Sequence, residues 1–182
     1  MLFPLVVSAQ KTSTPQWAVA NLTDGIKVIK VNDQITLGYS STSGIKIIVK
    51  DGLPFKDLNK NAIVDVYEDW RLNVKDRAKD LASKMSVEQI AGLMLYSAHQ
   101  SVPMLPTGMF KGTYGGKAFA ESGAKSSDLS DQQINFLKND NLRHVLITSV
   151  ENPVVAATWN NNVQKLLEGI GMGIPSNNSS DP

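Results

Sequence analysis

The sequence predicts an α/β chain: a small β-rich extension, then an EF-hand-like loop, then strands and helices in alternation that build a parallel sheet. Three observations predict it. Between Ala18 and Val49 the apolar residues are largely β-branched and fall in short runs. From Asp57 to Glu68, oxygen-bearing side chains recur at the spacing of a calcium loop. After Trp70 the hydrophobic period lengthens to the roughly 3.6 residues of a helix, and helical and strand-like runs then alternate.

The first ten residues stand apart. Met1 to Val7 is apolar and ends at Val7-Ser8-Ala9, so residues 1–9 are expected to be a signal peptide remnant cleaved after Ala9, which implies export. A short buried strand or a ragged terminus is the plainer alternative, since no positively charged region precedes the apolar run. Residues 10–52 form the β-rich extension. Lys27 to Val31, Ile35 to Leu37 and Ile45 to Val49 are expected strands, with turns at Asn32-Asp33 and Thr42-Ser43-Gly44. Asp51-Gly52 is expected to turn the chain into the loop.

Residues 53–72 carry that loop. A hard cation needs about six to eight oxygens at short range, so a short loop must fold around it. Asp57, Asn59 and Asn61 occupy positions 1, 3 and 5, the carbonyl of Ile63 position 7, Asp65 position 9 and Glu68 position 12. These are the expected ligands of a structural Ca2+ ion; no organic cofactor is expected. Position 6 normally holds glycine because the turn is sharp there, and here it is Ala62, at a strain of about 1 kcal/mol. An Asx-rich turn without an ion is the alternative.

Residues 73–182 carry the alternating pattern. Asn73 with Asp76 resembles a capping box, and Val74, Ala78, Leu81, Ala82 and Met85 follow at helical spacing. Ser86 with Gln89 opens a second, short helix. Leu93 to Tyr96 is expected to be buried, as a helix end or a first parallel strand. Ser97 to Ser130 is irregular and long enough to be functional or mobile. Its Gly112-Thr113-Tyr114-Gly115-Gly116-Lys117 lacks the spacing of a phosphate loop. Asp131 to Asp140 is an expected helix, Arg143 to Ser149 a strand covered on both faces, and Pro153 to about Gly169 a helix with proline in its first turn. Ile174 to Ser179 is a further strand, which places Asp181 at a strand's C-terminal end. A carboxylate there could hold vicinal sugar hydroxyls, or it could be an Asp-Pro turn.

Composition excludes several classes. The chain is 42% hydrophobic and 19% charged, with a net charge of +1 and no block of like charge, so neither nucleic acid nor an anionic membrane is an expected partner. With no cysteine and only His99 and His144, disulfides and zinc sites of familiar spacing are ruled out. No apolar run approaches the ~20 residues of a membrane span.

Pro54 to Asn61, Tyr67 to Arg71, Arg77 to Leu81 and Lys84 to Met94, followed by Trp159-Asn160-Asn161, Gln164, Gly173-Ile174-Pro175 and Asn177 to Pro182, occur in the order seen in glycoside hydrolase family 3, and the chain resembles the N-terminal part of that family from about residue 50 onward. The resemblance implies a (β/α)8 TIM barrel, of which about three βα units would be present, and retaining hydrolysis of terminal nonreducing β-linked sugars, as in a β-glucosidase. It implies a β-linked oligosaccharide or glycoside substrate and a periplasmic or extracellular location. Asp181 matches the family's sugar-gripping aspartate, a substrate-binding residue and not the nucleophile. Ser176, where an aliphatic residue is usual, and Ala62 depart from the pattern. A barrel needs about 250 residues. The family's nucleophile and acid/base lie downstream of Pro182, so no catalytic residue is expected here and the chain is expected to be a fragment, inactive alone. A stand-alone calcium-dependent interaction module without catalysis is the alternative.

Overall fold

A computed structural model describes residues 17–32, 34–108 and 111–180. The expected signal peptide and Asp181 lie outside the described residues. The extension begins as an antiparallel meander of β1 (Trp17–Asn21), β2 (Ile26–Val31) and β3 (Ile35–Ser40), in that spatial order. Alternation sets its inner face: Ile29 and Val31 of β2 are buried, while Lys30 between them faces water. A hairpin of β4 (Lys46–Lys50) and β5 (Leu53–Asp57) follows. Asp51 and Gly52 both have positive φ, the two-residue turn whose twist matches a hairpin's strands. Asp51-Gly52 therefore folds the chain back on itself, and the loop starts one strand later, from the end of β5. Pro54 argues against a strand in sequence, but in a two-stranded ribbon its missing N–H breaks no ladder.

The remaining residues run α1 (Val74–Lys84), α2 (Val87–Leu93), β6 (Gln100–Val102), α3 (Phe119–Ser122), α4 (Asp131–Lys138), β7 (His144–Val150), α5 (Pro153–Glu168) and β8 (Asn177–Ser180). Their starts follow from capping chemistry. Asn73 accepts the Asp76 N–H, and Ser86 and Ser130 form reciprocal capping boxes with Gln89 and Gln133. Asn152 caps α5 with Pro153 in its first turn. β6, β7 and β8 are parallel neighbours in sequence order. The described residues are thus mixed α/β with several separate sheets and no closed barrel.

The core lies where α4 and α5 cover one face of this sheet, and comprises Val102, Leu137, Leu142, Val145, Trp159, Val163 and Leu167. Two expectations fail here. β7 is not covered on both faces: Val145 is buried on one, whereas Leu146 is half-buried and Thr148 and Val150 are exposed on the other. Nor is Leu93 to Tyr96 a buried run, since Met94 is 83% exposed and Leu95 and Tyr96 are exposed as well, Tyr96 forming an isolated bridge to His144 and no strand. Apolarity marked both segments, but helices pack on one side only. Ser176, just ahead of β8, donates to the Arg143 carbonyl and exchanges hydrogen bonds with the Gln164 amide, so its polar atoms are satisfied. Arg143 is itself buried, with its guanidinium on the carbonyls of Ile174, Leu137 and Leu142, and burial lowers its pKa.

The extension is fastened to this α/β unit at the C-terminal end of α5. The buried Glu168 carboxylate accepts the Ser40 N–H at 2.7 Å and pairs with Lys56 Nζ at 3.0 Å. Lys60 donates to the Gly169 carbonyl at 2.7 Å, a cation on a helix C-terminus. Gly169 passes so close to Ser43 that a Cβ would lie 2.6 Å from its carbonyl oxygen. Glu168→Ala is expected to destabilise the chain by about 2 kcal/mol, because it leaves the Ser40 N–H without its acceptor and the half-buried Lys56 with the Gly38 carbonyl but no counter-charge from Glu168. Glu168→Gln should lose only part of that. Urea denaturation of both variants measures the difference.

Candidate functional site

Two places carry the expected site residues. The first is the C-terminal edge of the parallel sheet, where β6 and β7 end side by side at Val102 and Val150 and the last described residue of β8, Ser180, pairs with Ile147. β8 ends at Ser180, immediately before Asp181. A hollow of about 330 Å³ lies against this end, lined among others by Val102, Val150, Trp159, Asn160, Asn178 and Ser180. On the uncovered face, the Tyr96 hydroxyl and Ser179 share a hydrogen bond of 2.6 Å, and the Tyr96 ring stacks on His144. The segment after β6 leaves from the same edge. The Asp131 carboxylate organises it, accepting from the N–H groups of Gly116 and Gly115 and from the Thr113 hydroxyl. Those donors hold its pKa below the usual 3.8, with Gly116 the largest contribution. They also explain why this glycine-rich turn is no phosphate loop: its N–H groups already face a carboxylate.

The second place is the loop from Asp57 to Glu68. The structure brings all the expected ligand residues together there by internal hydrogen bonds. Asp57 Oδ2 accepts the Ala62 N–H at 3.2 Å across the loop. Asn59 and Asn61 accept the N–H groups of Asn61 and Ile63 through their side-chain oxygens, and their amides converge on Asp65 Oδ2 at 2.6 and 2.9 Å. Glu68 closes the turn: one oxygen takes the Leu58 N–H at 2.7 Å, the other the Asp65 N–H at 3.0 Å. The Ile63 side chain is exposed, leaving only its backbone to the loop. Ala62 sits at φ +63°, in the left-handed region.

Sequence reasoning missed three neighbours. Tyr67 is buried, its hydroxyl has no hydrogen-bond partner, and its pKa is raised by burial and then by the charges of Glu68, Asp65 and Asp57. Lys84 of α1 lies 3.4 Å from Asp65 and 2.7 Å from Asp80. Asp80 in turn accepts the Tyr67 N–H. The spacing of Asp80 and Lys84 along one helix face was a legible signal for that pair; its reach to Asp65 was not. Among the described residues, no three histidine or acidic side chains form a ready-made metal cluster.

Over 141 residues, 78% of its length, the chain is 36% identical to a periplasmic β-glucosidase/β-xylosidase of Dickeya chrysanthemi. It has a glycosidase relative. The chain spans 19% of the length of that β-glucosidase/β-xylosidase. No family model matches the chain.

Two outcomes follow from this geometry. Ala62→Gly is expected to stabilise the chain by about 0.5 kcal/mol in thermal unfolding, since glycine relieves the positive φ but gives back part of the gain in unfolded-state entropy. Asp131→Ala should speed amide exchange at Gly115 and Gly116 by about tenfold, the equivalent of one lost hydrogen bond to a charge. Because the folded-state pKa of Asp131 is lowered, its stabilisation is complete above pH 3.8 and is lost as pH falls further. Protection of the two glycines, corrected for intrinsic exchange, should fade in that acid range in the parent chain and not in the variant.

Proposed function

We propose that this chain is the N-terminal portion of an exported, retaining β-glycosidase of glycoside hydrolase family 3 that releases terminal nonreducing β-linked sugars. The identity to a protein named as a periplasmic β-glucosidase/β-xylosidase, over 78% of the chain, is the observation that carries the reading. The ordered sequence blocks from Pro54 to Pro182 support it, as does a parallel sheet of strands joined in sequence order. The location proposed is periplasmic or extracellular. No helix among the described residues is long and apolar enough to cross a membrane, and the proposed protein needs none.

The three parallel strands would belong to a (β/α)8 barrel, whose working face is the C-terminal edge of its sheet. Asp181 comes next after Ser180 of β8 in the sequence and, at that face, would accept hydrogen bonds from vicinal hydroxyls of the nonreducing sugar. Charged acceptors of this kind fix a polyol because each hydroxyl is a directional donor and the carboxylate offers two oxygens. Retaining hydrolysis needs two further carboxyl groups about 5 Å apart across the scissile bond. Those would come from parts of the enzyme outside this chain, which spans 19% of its relative.

Expression of the whole reading frame that contains this chain tests the proposal. The product should hydrolyse an aryl β-glucoside or β-xyloside with retention, while residues 1–182 alone should give no turnover. Asp181→Ala in the whole product should lower kcat/KM by about 100-fold or more, the order expected when a charged hydrogen-bonding group is removed from a bound sugar. Failure of the whole product to cleave either aryl glycoside, or full activity of residues 1–182, would overturn it.

A further inference from the structure

We propose that the loop from Asp57 to Glu68 binds a hard divalent cation, calcium in preference to magnesium, with the unpartnered Asp57 Oδ1 as an anchoring ligand. The inference concerns folding of the chain and is independent of its catalytic reading.

The observation that carries it is a buried carboxyl oxygen without a partner. Asp57 is 1% exposed and its Oδ1 has no hydrogen bond. A buried carboxylate oxygen without a donor loses its hydration and receives nothing in return. The other oxygen of the same carboxyl group accepts the Ala62 N–H across the loop, which fixes the carboxylate inside it. The side-chain oxygens of Asn59, Asn61 and Glu68 are already oriented. The side-chain oxygens of Asn59 and Asn61 are held by backbone N–H groups and each retains a second lone pair. Glu68 is held by three backbone N–H groups.

Charge counting agrees. Asp57, Asp65 and Glu68 bring three carboxylates to a loop of twelve residues. Lys84 is the cation paired with them, at 3.4 Å from Asp65, and it is shared with Asp80. A divalent ion would satisfy Asp57 Oδ1 and displace the two asparagine amides from Asp65 Oδ2, freeing that oxygen for the metal. Oxygen ligands only, drawn from a loop with several side-chain carbonyls, suit calcium, which accepts about six to eight ligands in irregular geometry; magnesium demands a near-octahedral six. The ion would lock the end of β5 to the turn that carries Tyr67 and Trp70.

The test uses the whole chain, stripped with a chelator and titrated with calcium chloride alone and magnesium chloride alone in a calorimeter. Calcium should bind at one site with a Kd of about 10⁻⁵–10⁻³ M, raise Tm by several degrees and outcompete magnesium. Terbium should luminesce when Tyr67 and Trp70 are excited, and calcium should quench it by displacement. Asp57→Asn should weaken calcium binding about tenfold or more. If that buried variant does not fold, Asn61→Asp decides: position 61 is exposed, and an added ligand charge should tighten calcium binding severalfold. No saturable binding up to ~10 mM calcium with Tm unchanged, or an affinity indifferent to Asn61→Asp, overturns the proposal.

Discussion

The buried carboxylate of Glu168 is the contact on which the two parts of the chain depend. It stands at the end of the longest helix, where the helix dipole disfavours a negative charge, so local propensity does not explain it. Its partners do: the Ser40 N–H belongs to β3 and Lys56 to β5, each more than a hundred residues away in sequence. One carboxyl group thereby orients the meander and the hairpin against the same helix. The close approach of Gly169 to Ser43 and the Lys60 bond to the Gly169 carbonyl work only at this distance. Beyond this clasp, the loop from Asp57 to Glu68 and the helix α1 bridge the extension and the parallel sheet.

The loop shows a division between what backbone bonding can and cannot satisfy. Asx turns organise Asn59 and Asn61, Glu68 gathers N–H groups from both sides, and Asp69 is gripped by two guanidinium nitrogens of Arg71. The Arg71 guanidinium also covers the Phe55 ring, which stacks on Trp70. This neighbourhood is closed and well partnered. Among the described residues, the buried side-chain atoms without a hydrogen bond, Asp57 Oδ1 and the Tyr67 hydroxyl, both belong to this loop.

Helices α1, α2, α4 and α5 were legible and their starts are chemical: Asn73, Ser86, Ser130 and Asn152 each supply an acceptor to an orphan N–H three residues on, whereas α3, which has no side-chain cap, was not. Strands β2, β3, β4 and β7 were legible from β-branched runs. β5 was hidden by Pro54, and β6 by its three-residue length within a proline- and glycine-rich segment. Exposure was the poorest reading. Leu93 to Tyr96 and the end of β7 are apolar enough for a core, and composition cannot say on which side of a sheet helices will pack. Loop positions were legible because a fixed spacing carries them. The contacts of Tyr67, Lys84 and Glu168 were not, since they join residues whose distance in sequence has no period. Asp181 lies outside the described residues, so its role rests on sequence likeness and on the direction of β8.

The three tryptophans happen to sit in three different layers. Trp17 lies on the outer strand and donates to Gly52; Trp70 lies under the loop, stacked on Phe55 and donating to Pro54; Trp159 is 2% exposed in the core beside Gln133. Each indole therefore has its own polarity and its own neighbours, and each would emit at a different wavelength. The chain carries an intrinsic optical label for each layer, so single-tryptophan versions would report the order in which meander, loop and core come apart without any added dye.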